Sequence, residues 1–249
     1  MNSYKNLCTQ FYDLDKPDAP PEALAFYLRY ARHANGAILE PMCGSGRFLL
    51  PLLERGFPID GVDASGDMLQ ACRENGRRRG LAPVLYEQAL HQLELPGRYH
   101  LVMIPASSFC LITEPDQVRE SLRRLHALMV PEATLVVEIE LLMPQPPQPD
   151  SWRGRWVTRP DGARIVISQL SRHRVADRVS HSLHRYELIK DGRLLETEWE
   201  ELDLRLYELG EFRALLEDCG FTAVQHFKGY GCSAPDDADE SLALSCVRP

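Results

Sequence analysis

The chain has 249 residues, 44% of them hydrophobic and 26% charged, with a formal net charge of −8. Those proportions suit a globular protein with a sizeable core, and the acidic balance argues against a nucleic-acid partner, because phosphate binding needs a basic footprint. Seven scattered cysteines, an N-terminus ("MNSYKNLCTQFYDLD") without a signal-peptide pattern, and apolar runs broken by charge imply a cytoplasmic protein with reduced thiols, no metal and no membrane span.

After an N-terminal segment, "PPEALAFYLRYARH" (20–33) has helical spacing with prolines at its start, where they are tolerated. "GAILE" (36–40) reads as a short apolar strand and "GRFLLPLLERG" (46–56) as a helix in which Pro51 demands a kink or an irregular start. "PIDGVD" (58–63) is a second strand. "SGDMLQACRENGRRRG" (65–80) is a helix with Ser65 as its N-cap and Asp67 in the first turn, where a negative charge suits the dipole. Strands are expected over 82–90 and 98–105. A helix over 114–130, with Val118, Leu122, Leu125 and Met129 on one face, leads to a fifth strand over 133–141. Such β–α alternation implies a parallel sheet covered on both faces.

The pattern changes at "LLMPQPPQPDSW" (141–152), where four prolines in six residues exclude a helix and mark a connector. From 152 to 207 the chain reads as antiparallel strands, with Asp-Gly in "RPDGAR" and "IKDGRL" as hairpin signals. Residues 151–206 hold eleven Lys+Arg and nine Asp+Glu, so this block carries +2 and the remainder −10. "ELGEFRALLEDCG" (208–220) is a helix ended by Gly220, and two strands, "FTAVQHFKG" and "SLALSCVRP", follow across an acidic loop. The expected division is residues 1–141 with 208–249 as one α/β domain, and 142–207 as an inserted antiparallel β subdomain.

In open parallel sheets, ligands bind beyond the carboxyl ends of the strands, where strand order reverses. "ILEPMCGSGRF" (38–48) falls there if the first strand is central, and Gly44 and Gly46 would let backbone approach a ligand. Asp63 ends the second strand seventeen positions after Gly46, the place of an acid that takes ribose hydroxyls. A dinucleotide fingerprint is broken by Leu49, and no Gly-x-x-x-x-Gly-Lys cradle for a triphosphate occurs. Glu40 would repel a pyrophosphate and suits a cationic or amine-bearing ligand.

"ILEPMCGSGRFLLPLLERGFPIDGVDASGDMLQACR" resembles the first two motifs of the class I S-adenosylmethionine-dependent methyltransferases, and the resemblance continues through "LVMIPASSFCLITEPDQ" and "LLEDCGF". It implies a Rossmann-like α/β fold of seven strands, mostly parallel with an antiparallel last strand, interrupted here by the β insertion. It further implies that Glu40, Gly44 and Gly46 hold the methionine part of S-adenosyl-L-methionine, with loop backbone donating to its carboxylate, and that Asp63 takes the ribose. Ala64 and Met68 would flank the adenine, Ala89 and Leu90 would bound its other edge, and Ile104 with Pro105 would lie under the sulfonium. The insertion would roof the acceptor pocket or build a dimer, so monomer and homodimer both stay open.

The chain departs from the family where Met42 replaces a glycine, Ala89 an aspartate and His100 another aspartate. The acceptor implied is a small molecule, methylated by in-line displacement, a reaction in which positioning and desolvation supply most of the acceleration. No base can be assigned; Tyr12, in the lid-like "FYDLD", and Ser108, after the fourth strand, are the candidates. Two other functions stay open. Nucleic-acid base methylation would need an Asn/Asp-Pro-Pro-aromatic tetrapeptide where "IPASSF" stands. A non-catalytic binding protein is the reading that Met42 and Ala89 would favour.

Overall fold

A computed structural model describes residues 4–142, 151–174, 177–208, 210–231 and 239–249; the proline-rich connector and the acidic loop fall mainly outside these residues. Helices α1 (Asn6–Asp15) and α2 (Pro21–His33) precede β1 (Ile38–Pro41), α3 (Leu49–Glu54), β2 (Ile59–Asp63), α4 (Gly66–Arg78), β3 (Val84–Glu87) and β4 (Tyr99–Ile104). Then come α5 (Pro115–Leu128), β5 (Met129–Glu140), four strands β6 (Arg153–Thr158), β7 (Arg164–Arg174), β8 (Val179–Lys190) and β9 (Arg193–Arg205), α6 (Glu211–Asp218), β10 (Thr222–Lys228) and β11 (Ser241–Val247).

Seven strands form one sheet in the order β10-β11-β5-β4-β1-β2-β3, parallel except for β11, which runs antiparallel to both β5 and β10. Alternation along each strand feeds two cores. Phe26, Tyr27, Leu49 and Leu69 cover one face from α2, α3 and α4, while Val118, Leu122, Leu125 and Phe212 cover the other from α5 and α6. The order reverses between β1 and β4, so the crevice beyond their carboxyl ends is the expected ligand position.

Several boundaries differ from the sequence reading. The helix placed over 46–56 begins only at Leu49, because residues 42–47 turn; Pro51 therefore lies in the first helical turn, where its missing N–H costs no hydrogen bond. The third strand stops at Glu87, since the Gln88 amide brackets Glu94, accepting its N–H at 2.8 Å and donating to its carbonyl at 3.0 Å, and folds Ala89 and Leu90 into a turn. Met129 is extended and opens β5 instead of closing α5. His100 packs on Gly36, where an added Cβ would lie 2.3 Å from its ring nitrogen, so the pair occupies the space as a unit.

Strands β6–β9 make a separate antiparallel sheet in sequential order. Asp191 and Gly192, with φ of 50° and 72°, make the tight β8–β9 turn that Asp-Gly favours. This sheet has its own small core, in which Ile165, Ile167 and Tyr186 pack on Leu7, Cys8 and Phe11 of α1. The N-terminal backbone of α1, whose N–H groups have no partner within the helix, is capped across space. Glu200 accepts the Lys5 N–H at 2.5 Å, and Glu198 accepts those of Leu7 and Cys8 at 3.1 and 2.9 Å. On its other side α1 meets α4, where Asn75 donates to Asp13 at 3.0 Å. Thus α1 ties the second sheet to the first.

Candidate active site

A cavity of about 410 Å³ opens at the carboxyl ends of β1, β2 and β4 and is closed over by the N-terminal segment, through Tyr4 and Tyr12. Its floor is the turn after β1. Met42 and Gly44 have φ of 59° and 53°, so both lie in the left-handed region. At Gly44 there is room for a side chain, with only Met68 Sδ within 3.7 Å of an added Cβ; it is the backbone conformation that asks for glycine. Met42 accepts the same conformation with a Cβ, at a cost of about 1–2 kcal/mol. Gly46, at φ 88°, serves packing instead: a Cβ there would meet Cys72 Sγ at 2.7 Å and Leu50 at 2.8 Å.

Asp63 locks this turn to β2. Its two carboxylate oxygens accept the Gly44 N–H at 2.8 Å and the Ser65 N–H at 2.9 Å. Burial raises its pKa against the opposing pull of those N–H groups. The Gly44 N–H is thus already engaged, and that of Gly46 goes to the Cys43 carbonyl at 3.0 Å. Glu40 is 2% exposed, and its Oε2 has no hydrogen-bond partner; burial pushes its carboxyl well up, opposed by the charge of Arg47. Arg47 faces the same cavity with its guanidinium carbon 5.7 Å from the Tyr12 ring centre and 5.2 Å from that of Phe48, and its buried Nε is also unpartnered. A buried acid and a half-buried guanidinium in one cavity are complementary to a zwitterion.

Of the residues expected from sequence, Glu40, Gly44, Asp63, Ala64, Met68, Ala89, Leu90 and Pro105 line the cavity, as do Tyr12 and Ser108. Gly46 and Ile104 are not on its wall. Ile104 is fully buried in the core beneath, because strand alternation turns it toward α5 and leaves Pro105 to reach the cavity. Neither base candidate is set up as one. The Ser108 hydroxyl donates to the Pro105 carbonyl at 3.0 Å, and burial raises the Tyr12 phenol, which keeps its proton at neutral pH. The sequence reading missed Tyr4, Arg47, His91, Gln92 and Gln117. Only Arg47 had a local signal, a charge directly after the glycine turn. After β4, Ala106 and Ser107 are both left-handed, with φ of 56° and 54°.

The walls therefore fit S-adenosyl-L-methionine on their own chemistry. Open charges of both signs stand at the β1 turn, an acid stands at the end of β2, and Ala64, Met68 and Leu90 give an apolar lining between polar ends. Among the described residues, no group of three or more His, Cys, Asp or Glu side chains is placed to hold a metal, and no helix is long and apolar enough to cross a membrane.

Comparison with known proteins agrees. Residues 38–132 match the family described as "Methyltransferase domain". A putative methyltransferase of Geobacillus sp. (strain WCH70) is 22% identical over 93% of this chain and 94% of its own length. Among solved structures, an S-adenosylmethionine-dependent methyltransferase from Clostridium acetobutylicum ATCC 824 superposes with a TM-score of 0.78 at 16% identity, covering 99% of each chain. The sugar N-methyltransferase KedS8 from Streptoalloteichus sp. ATCC 53650 gives 0.76 at 18% identity, over 100% of this chain and 96% of its own; both share the fold. The two glycines of the turn, the acids closing β1 and β2, and the matched domain together identify residues 38–132 as a methyltransferase domain, within a chain that has the fold of the S-adenosylmethionine-dependent methyltransferases.

Proposed function

We propose that this protein methylates a small-molecule amine. The observation that carries the reading is the cavity itself, with Glu40 and Arg47 open at one turn and no prepared base at the β4 turn. Bound S-adenosyl-L-methionine supplies an electrophilic methyl carbon on a positively charged sulfur. Glu40 would take the amino group and Arg47 the carboxylate of its methionine part. Asp63 keeps free lone pairs for the ribose hydroxyls while bracing the turn. Ala64, Met68 and Leu90 form the apolar slot for the adenine. Tyr4 and Tyr12 exclude water from above, which strengthens every electrostatic contact inside.

A hydroxyl acceptor needs a base to remove its proton, whereas an amine in its free form attacks unaided. With the Ser108 hydroxyl committed and Tyr12 holding its proton, an amine is the acceptor that fits. Among the described residues His91 is the one imidazole on the wall, so the variant His91→Gln tests whether it takes part as a base. The fold shared with a sugar N-methyltransferase points the same way. In the cell we place the enzyme in the cytoplasm. The β6–β9 insertion (residues 142–207) acts as the anchor of the roof through α1, in a monomer or homodimer.

Titration calorimetry with S-adenosylmethionine and S-adenosylhomocysteine, followed by a methyl-release assay over amino sugars, amino acids, phenols and single-stranded DNA, tests this. Turnover with amines alone is the expected outcome. Turnover with phenols, or a salt-sensitive complex with DNA, would replace the acceptor assignment; binding without any turnover would favour a non-catalytic role.

A further inference from the structure

Arg47 enters the cavity from the turn between β1 and α3, and what holds its guanidinium is aromatic. Among the described residues Arg47 forms no side-chain hydrogen bond or ion pair, and its buried Nε has no partner. The guanidinium carbon stands instead 5.2 Å from the centre of the Phe48 ring and 5.7 Å from that of Tyr12, both within cation–π reach. Ring contacts fix a guanidinium without a hydrogen-bond acceptor, so its N–H donors stay available to a ligand.

The two rings come from different parts of the molecule. Phe48 follows Arg47 in sequence, is 3% exposed, and packs on the Tyr27 ring with centres 5.4 Å apart; the Tyr27 hydroxyl in turn donates to Glu138 at 2.5 Å. Tyr12 belongs to α1, which is held from outside by Glu198 and Glu200 of β9 and by Asn75 of α4. Among the described residues the Tyr12 hydroxyl makes no hydrogen bond, so the ring is the part of this side chain that is engaged. Excluding water needs only an apolar surface, and a leucine would serve. Holding a cation calls for a π face.

We propose that Tyr12 is a positioning residue that acts through Arg47: with Phe48 it clamps the guanidinium, so that Arg47 meets the carboxylate of the bound amino-acid part while α1 covers the cavity. This rests on reading the cavity as the S-adenosylmethionine site, and it gives the Tyr12 ring a role that its hydroxyl does not share. It also links the second sheet to the ligand, from β9 through α1 and Tyr12 to Arg47.

Tyr12→Phe, Tyr12→Leu, Arg47→Met and the double variant of the last two test it. Dissociation constants are measured for S-adenosylhomocysteine and for 5′-methylthioadenosine, which keeps the adenosine and lacks the amino-acid part, so their ratio reports the Arg47 end of the cavity. Tyr12→Leu should weaken S-adenosylhomocysteine about fivefold relative to 5′-methylthioadenosine, the size of one cation–π contact. Tyr12→Phe keeps the ring and should keep the parental ratio. In the Arg47→Met background, adding Tyr12→Leu should not move the ratio further, because the group that Tyr12 positions is gone.

An unchanged ratio in Tyr12→Leu would overturn the proposal, as would equal weakening of both ligands, the mark of a roof that only excludes water. A loss in Tyr12→Phe equal to that in Tyr12→Leu would overturn it by moving the role to the hydroxyl, and a further loss in the double variant by separating Tyr12 from Arg47. If Tyr12→Leu does not fold, Tyr12→Met, which also lacks a ring, is read in its place. A parent protein that binds neither ligand would overturn the site reading and the clamp together, whereas a parent that binds both with any of the preceding results overturns the clamp alone.

Discussion

At the foot of α1, Glu198 and Glu200 lie at the second sheet with their oxygens bonded to backbone N–H groups. At the end of β1, Glu40 is at least as deeply buried and has an oxygen with no partner, as does the Nε of nearby Arg47. The first pair of acids completes a helix terminus and holds the fold together. The second arrangement costs stability, since a buried unpaired carboxylate is unfavourable, and under the proposed function a ligand of matching charge would offset that cost. Glu198 and Glu200 thus brace the fold, whereas Glu40 has an oxygen left open at the cavity.

The largest effect that would test this contrast comes from Asp63→Ala. It removes an ionised acceptor from the ribose and frees the Gly44 turn, so S-adenosylhomocysteine affinity should drop by at least about a hundredfold, from two charge-assisted bonds of about 1.5–3 kcal/mol each. Calorimetry showing parental affinity would discard the site. Next, Glu198→Gln with Glu200→Gln should destabilise the protein by about 2 kcal/mol, near 1 kcal/mol for each cap. Urea denaturation reads that loss, and limited proteolysis should then nick α1 first.

Glu40→Gln sharpens the contrast further, because it should separate binding from stability. Affinity for S-adenosylhomocysteine should fall about tenfold, while the ligand-free protein melts at the same temperature or higher, as expected where a site stores strain. A variant that lost stability as well would make Glu40 structural and erase the distinction.

The pH dependence follows from the same acids. Burial lifts the Glu40 and Asp63 carboxyls above their ordinary values. A carboxyl raised in the folded state contributes its full stability only below its unfolded value, about 4.3 for Glu and 3.9 for Asp, and loses it as pH rises through the folded value. The ligand-free protein should therefore gain from these two groups on going from about pH 7.5 to pH 5. A ligand amino group favours ionised Glu40, so binding should release protons, seen as a dependence of binding heat on the buffer. Uptake of protons would contradict the assignment. The smallest effect is Met42→Gly, which relieves a left-handed Cβ and should raise the melting temperature by about 2–4 °C.

Much of this was readable along the chain. Ser65 caps α4 by accepting the Met68 N–H at 3.1 Å, and the Asp-Gly pairs sit at their turns, because capping and turn chemistry act over a few residues. Glu40, Gly44 and Asp63 were legible because the acid, the turn and the next strand end are consecutive in a β–α–β unit. Arg47 was passed over although it lies inside the same stretch, since only the closed cavity reveals that its Nε has no partner. Tyr4, Gln92 and Gln117 gave no signal, coming to the wall from three separate elements.

Periodicity, turn residues and the order of acids around the glycines were enough to specify a seven-stranded α/β protein with a β insertion and a nucleoside-type ligand. Those features depend on neighbours within one or two turns of chain. What needed the folded molecule was long-range: α1 capped by acids about 190 positions away, and Glu138 of β5 accepting the hydroxyls of Tyr27 and Tyr230. Hydrogen bonds between segments so distant leave no spacing to read, because their geometry exists only once the sheets have assembled.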